Sequence, residues 1–205
     1  MTHSRYSEST RAALFYTSLS STFGDILLFW IEMPRAKIRR IFLPHEGAPD
    51  FQHARRAFPE AKPHVSDRHV PALITSAVES ISSILSGTPR PFPIELLKES
   101  LSALPDFQQR VLSLEATIPF GYISTYGELA AAASSPKGAR AAARVLSHNP
   151  FPILIPCHRV ISSSGSLAGY QGGMEMKKQL LRQEGLPFIA DRVDISTAHF
   201  WHFHA

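Results

Sequence analysis

Seven residues at positions 87–93, reading GTPRPFP, hold three prolines and a glycine. No helix or central strand runs through such a stretch, because each proline lacks a backbone donor and fixes φ near roughly −65°. The chain of 205 residues is therefore expected to fold in two parts, an N-terminal domain over residues 1–92 and a C-terminal domain with its tail over residues 93–205. Each part is long enough for a core of its own.

The two parts read differently. Before the break, residues 25–33 and 36–43 are rich in β-branched and aromatic side chains, and the link Met33-Pro34-Arg35 predicts a hairpin. Residues 1–22 are polar and without a period, which predicts a loose start, and residues 45–51 read as a loop. Helices are expected over 51–58 and 71–85; in the second, Leu73, Ile74, Val78, Ile81 and Leu85 recur at helical spacing and Gly87 supplies the stop. After the break comes a short extended stretch at 94–97. Phe107, Val111, Leu114 and Ile118 then mark one buried helix face behind Pro105, with Asp106 serving its start. Thr125 followed three residues on by Glu128 is a capping box that opens a helix over 126–133. Ser135-Pro136 repeats a start signal for a helix to residue 147. Two short helices joined at Ser134-Ser135 make a helix-turn-helix candidate. Residues 151–160 read as a strand, 162–173 as a Gly/Ser loop and 174–183 as a helix stopped by Gly185. The tail ends in His199, His202 and His204 among aromatics, and reads as packed or frayed rather than metal-binding. The expected fold class is α/β: a small N-terminal sheet-plus-helix domain and a mostly helical C-terminal domain with a helix-turn-helix.

Composition narrows the function classes. A 44% hydrophobic content is too high for a disordered chain. The longest apolar run, residues 26–31, falls far short of the roughly 18–20 residues of a membrane span. The opening residues are not basic-then-apolar, so no secretory signal is expected. One cysteine excludes an internal disulfide framework and any site built on two thiolates. A soluble protein of a reducing compartment is expected, with no metal, no cofactor and no membrane partner. The 21 basic and 17 acidic side chains leave a small positive excess, which permits nucleic-acid binding without requiring it.

Two segments carry chemistry. On the second helix of the helix-turn-helix, Arg140 and Arg144 lie one turn apart, among small residues that let a backbone approach a DNA groove. Taken alone, an Ala-rich packing helix with two solvated arginines fits as well. The lone thiol stands in Pro156-Cys157-His158-Arg159-Val160. A free cysteine is most often a small hydrophobe, but an imidazole and a guanidinium beside it favour the thiolate, the form that attacks. Neighbours on a true strand point to opposite faces, so the backbone must turn at Cys157 for both side chains to share a site.

Residues 151–161 (FPILIPCHRVI), preceded by Asn149-Pro150, resemble the active-site segment of the O6-alkylguanine-DNA alkyltransferases, the methylated-DNA–protein-cysteine methyltransferases. Residues 124–130 (STYGELA) and Ala139-Arg140-Ala141 resemble that family's helix-turn-helix. Residues 169–173 (GYQGG) with Lys177, and 180–185 (LLRQEG), resemble its substrate loop and last helix. The likeness is strong over residues 104–185 and faint before them. It implies direct repair of double-stranded DNA carrying O6-alkylguanine, by irreversible transfer of a methyl or other alkyl group to Cys157, once per molecule and without cofactor or metal. His158 would act as base, Glu184 would orient it, Tyr126 would hydrogen-bond the guanine, and Asn149 would fix the turn before the active-site segment. Arg140, Ala141, Arg144 and Thr125 would meet DNA, Arg140 filling the gap left by a flipped nucleotide. Tyr170, Gln171, Gly172, Val160, Arg159 and Lys177 would line the base pocket. A monomer is expected, in the nucleus of a eukaryote and otherwise in the cytoplasm. The alternatives are a non-catalytic lesion-binding relative, a group that replaces the acceptor cysteine, and a helix-turn-helix transcription regulator with an inert thiol.

Overall fold

The computed structural model describes residues 13–32, 35–44, 50–64 and 69–203. Strands β1 (Leu14–Ser21) and β2 (Gly24–Ile31) form an antiparallel hairpin closed from Ser21 to Gly24, where glycine supplies a φ of +116°. Strand β3 (Lys37–Phe42) pairs antiparallel with β2, and the short β4 (Lys62–Pro63) pairs parallel with β1, giving the order β3-β2-β1-β4. The expected β2–β3 pairing is present; residues 33 and 34 of its link, and residues 45–49 of the expected loop, lie outside the described residues. The loose start does not hold over residues 14–21. Leu14, Phe15 and Leu19 are buried in β1, a strand whose Ser and Thr positions masked the pattern until β2 paired with it.

Leu27, Phe29 and Phe42 cover one sheet face under helix α1 (Asp50–Ala57). The other face, with Leu28, Trp30, Ile38 and Ile41, joins helix α2 (Ala72–Leu85) in a core that continues into the C-terminal half. The backbone ties the halves as well: the Ile41 amide donates to the Pro150 carbonyl, 2.8 Å away. The extended stretch expected at 94–97 is instead a 3-10 turn (Ile94–Leu97) running into α3 (Lys98–Leu101). Leu97 and Leu101, four apart, bury the same side of that turn.

Helix α4 (Asp106–Glu115) begins behind Pro105 with no side-chain cap, so Asp106 contributes only its charge in the first turn. Strand β5 (Ser124–Thr125) leads into α5 (Tyr126–Ala132), and α6 (Ala139–Ser147) packs on it through Ala142, Val145 and Leu146. The start expected at Ser135-Pro136 lies three residues too early: these residues make a turn, closed by Gly138 N–H on the Ser135 carbonyl at 2.7 Å. Residues 151–156 are not a strand. Pro150, Pro152 and Pro156 remove ladder donors, and Ile153 takes a φ of +73°. Only β6 (Val160–Ile161) pairs, parallel to β5. Helix α7 (Gly173–Gln183) and a hairpin of β7 (Phe188–Ile189) with β8 (Arg192–Val193) complete the described fold. No helix among the described residues is long and apolar enough to cross a membrane.

Candidate active site

The thiol sits where the backbone turns. Pro156 ends the irregular segment, and residues Cys157–Arg159 form one 3-10 turn before β6, so consecutive side chains need not alternate between faces as on a strand. Asn149 shapes the approach. Fully buried, it accepts from the Phe151 amide at 2.9 Å and donates to the Ile155 carbonyl at 3.1 Å, spanning the loop that holds the strained Ile153. A β-branched residue at positive φ costs on the order of 1–3 kcal/mol, so the clamp and the surrounding core must over-determine that conformation.

Cys157 is buried, and burial, with the nearby Glu115, pushes its thiol up to about 12; Asn149 and Lys177 pull the other way. His158 is fully buried, and its Nε2 lies 2.8 Å from Glu184 Oε1. A carboxylate only accepts, so Nε2 carries the hydrogen and Nδ1 keeps the lone pair of a base. Nδ1 has no protein partner. Burial holds the imidazole below its usual range, hence neutral.

Glu184 caps α7 and gathers donors from three directions. Besides His158, Arg159 forks onto both its oxygens at 2.9 to 3.1 Å, and the Gly121 amide donates at 3.2 Å. Burial alone would push this carboxyl up, but His158 and Arg159 override it and hold it at about 2. With the imidazole neutral, the lasting opposite charge is the Arg159 guanidinium, whose remaining Nη1 donates to the Ile118 carbonyl at 2.7 Å. Arg159, expected to line the pocket, is thus committed to Glu184 and the end of α4.

The remaining pocket residues surround the same turn. Lys177 is fully buried and donates to the Val160 and Leu167 carbonyls at 2.7 and 2.5 Å; its Nζ lies 5.9 Å from the centre of the Tyr126 ring. Burial lowers it to about 8. Tyr126 opens α5, and burial pushes its phenol up. Tyr170 presents its edge to the His158 ring at 6.3 Å, and its buried hydroxyl has no protein partner. Gln171 donates to the Asn149 carbonyl at 2.8 Å. Gly172 leaves no room for a side chain, since a Cβ there would meet Met176 Sδ at 2.3 Å. Arg140, Ala141 and Arg144 are exposed along α6, away from this cluster, while Thr125 Oγ1 accepts the Glu128 amide at 3.1 Å as the α5 cap.

One residue escaped sequence reasoning. Glu115 is fully buried, both its carboxyl oxygens lack a partner among the described residues, and burial pushes it well above its ordinary value, against the pull of Lys177 and Arg159. The signal was its place four residues after Val111, on the buried face of α4.

A family profile described as 6-O-methylguanine DNA methyltransferase, DNA binding domain, matches residues 106–186. Over 126 residues the chain is 43% identical to a methylated-DNA–protein-cysteine methyltransferase of Methanothermobacter thermautotrophicus, covering 61% of this chain and 69% of that one. The chain belongs to the methylated-DNA–protein-cysteine methyltransferase family. Solved relatives agree. A crystal structure of the Mycobacterium tuberculosis O6-methylguanine methyltransferase superposes with a TM-score of 0.63 at 29% identity, covering 83% of this chain and 92% of that one. An OGT of the same organism in complex with DNA gives 0.62 at 31%, covering 83% and 93%.

Proposed function

We infer that this protein repairs DNA directly, moving an alkyl group from the O6 of guanine to Cys157 in one irreversible step per molecule. The carrying observation is the hydrogen-bonded line from Arg159 through Glu184 to His158, whose other ring nitrogen is unengaged among the described residues, on the residue that follows the chain's single thiol in sequence. This is the nucleophile, base and orienter arrangement of covalent catalysis.

The substrate read from this site is double-stranded DNA with an O6-alkylated guanine, bound by a monomer through the helix-turn-helix. Exposed Arg140 and Arg144 lie on the α6 face that meets DNA, and Arg140 fills the stack when the base turns out. Tyr170, Gly172 and the backbone at Val160 bound the base pocket. The thiol, protonated at rest, passes its proton toward His158 Nδ1. The sulfur lone pair forms the S–C bond while the C–O6 bond breaks, and the leaving guanine takes a proton from Tyr126. The proton taken up at His158 returns through solvent to the Tyr126 phenolate, so the balance is thiol plus O-alkylguanine to thioether plus guanine. The S–C bond of a thioether is not cleaved by any side-chain base or nucleophile, so turnover ends there. Residues 93–205 hold the chemistry and residues 1–92 brace it. The compartment follows the DNA, nucleus in a eukaryote and cytoplasm otherwise.

The test incubates the protein with an O6-methylguanine duplex and weighs the peptide containing Cys157. One added methyl, absent in Cys157→Ser, is expected. An unmodified peptide, or transfer that survives the substitution, overturns the reading.

A further inference from the structure

A third segment flanks the ladder that joins the two halves of the site. Strand β5 delivers Tyr126 to α5, and β6 leaves the Cys157 turn, so their parallel pairing, Ser124 opposite Val160 and Thr125 opposite Ile161, ties the start of α5 to the segment that carries the thiol. The other side of β5 is occupied by the segment after the β7–β8 hairpin. The Ile123 amide donates to the His199 carbonyl at 3.0 Å, and the Trp201 amide donates to the Ile123 carbonyl at 2.7 Å, a parallel bridge centred on Ile123 and Phe200.

Two side chains of this segment reach further. Trp201 Nε1 donates to Thr117 Oγ1 at 3.2 Å, just past α4 and one residue before the Ile118 carbonyl that holds Arg159. His202 Nδ1 lies 2.9 Å from Glu128 Oε1, while the other Glu128 oxygen accepts from Ser124 Oγ at 3.1 Å. The capping box is therefore not closed in the usual way. Its Glu does not reach back to the cap; it is held between β5 and the 199–203 segment, and this fixes the first turn of α5, where Tyr126 sits. The His202 side chain is 67% exposed, so it has little packing value that would explain its place.

We propose that Trp201 and His202 are positioning residues for the transfer step, setting the Tyr126 hydroxyl through Ile123 and through the Glu128 cap. The proposal rests on the role given above to Tyr126. An aligned donor matters because a displacement of about 1 Å at a reacting group costs up to a hundredfold in rate. A single partly exposed hydrogen bond sets a smaller scale, roughly three- to tenfold.

The experiment measures the single-turnover transfer rate at saturating O6-methylguanine duplex, together with duplex affinity and the melting temperature, in the full chain. His202→Phe keeps the ring that stacks on Phe200 but loses the hydrogen bond. It should slow transfer roughly three- to tenfold, with affinity unchanged. His202→Asn restores a donor at the Nδ1 position and should return the wild-type rate. Trp201→Phe, which keeps the ring but not Nε1–H, should slow transfer in the same way. In a Tyr126→Phe background, His202→Phe should add nothing, because both act through one hydroxyl. Wild-type rates in both His202→Phe and Trp201→Phe, beside a slow Tyr126→Phe, overturn the positioning role alone. Additive losses in the double variant do the same. A Tyr126→Phe protein at wild-type rate overturns the role of Tyr126 and the positioning with it.

Discussion

Replacing Glu184 with Gln tests how the site is held together, and one set of contacts sets the size of the effect, read as stability and as its pH dependence. The carboxylate accepts from His158, from the Arg159 fork and from the Gly121 amide, all in a side chain that is 1% exposed. An amide offers one acceptor and turns N–H groups toward donors, leaving the Arg159 charge buried without its partner. Removing one member of a buried pair costs about 3–5 kcal/mol. At roughly 2–4 °C per kcal/mol for a chain of this size, the melting temperature should fall by about 6–20 °C. The second route is through protons. The carboxyl stands at about 2 in the folded protein against an ordinary 4.5, a gap worth about 3 kcal/mol. Because the folded value is depressed, this stabilisation is complete above pH 4.5 and is lost as pH falls toward 2. Denaturant titrations of both proteins at pH 6 and pH 3 read it directly. The wild-type advantage should shrink by about 2 kcal/mol between the two, since Gln has no proton to take up. Equal pH dependence in the two proteins, or a melting temperature within a few degrees of wild type, would refute the reasoning.

Three further outcomes follow from the same turn. Asn149→Ala strands the Phe151 amide and the Ile155 carbonyl in a fully buried setting, so unfolding free energy measured in denaturant should drop by about 2–4 kcal/mol. The thiol of that variant should also alkylate more slowly at fixed pH, because Asn149 is one of the groups that offset burial at Cys157. In the wild type without DNA, with the thiol near 12 rather than 9.0, iodoacetamide labelling should climb about tenfold per pH unit from pH 7 to pH 10; a plateau below pH 9 would contradict the burial argument.

Cys157 and His158 stood out in the sequence by their chemistry, and Asn149, Tyr126 and Glu184 by motifs that resemble the family's, so residue type and order were legible before the fold was. The conformations between them were not. Residues 151–156 have strand composition, yet their prolines and the Asn149 clamp fix a loop with Ile153 at positive φ, and that outcome depends on a hydrogen bond six residues long in sequence. Strand β1 was hidden for the converse reason, since its serines read as loop until β2 supplied the ladder. Trp201 and His202 looked like tail aromatics because their partners, Thr117 and Glu128, lie 84 and 74 residues away.

Charge counting shows the same limit most clearly, and the structure turns it into a statement about mechanism. Lys177, Arg159, Glu115 and Glu184 are two cations and two acids, which in the sequence cancel. In the fold they do not. Arg159 is matched by an ionised Glu184, whereas Lys177 has carbonyl partners and burial disfavours the charge on Glu115. The balance around the thiol is therefore tilted toward positive charge. Burial makes the thiolate costly in the free protein, but the thiolate is also an anion that would offset this tilt. If Glu115 were ionised, Lys177 would already be answered and the thiolate would have no counter-charge. Burial that disfavours the charge on Glu115 weakens a group that raises the thiol and leaves Lys177, which lowers it, so depth of burial alone does not set the reactivity of Cys157.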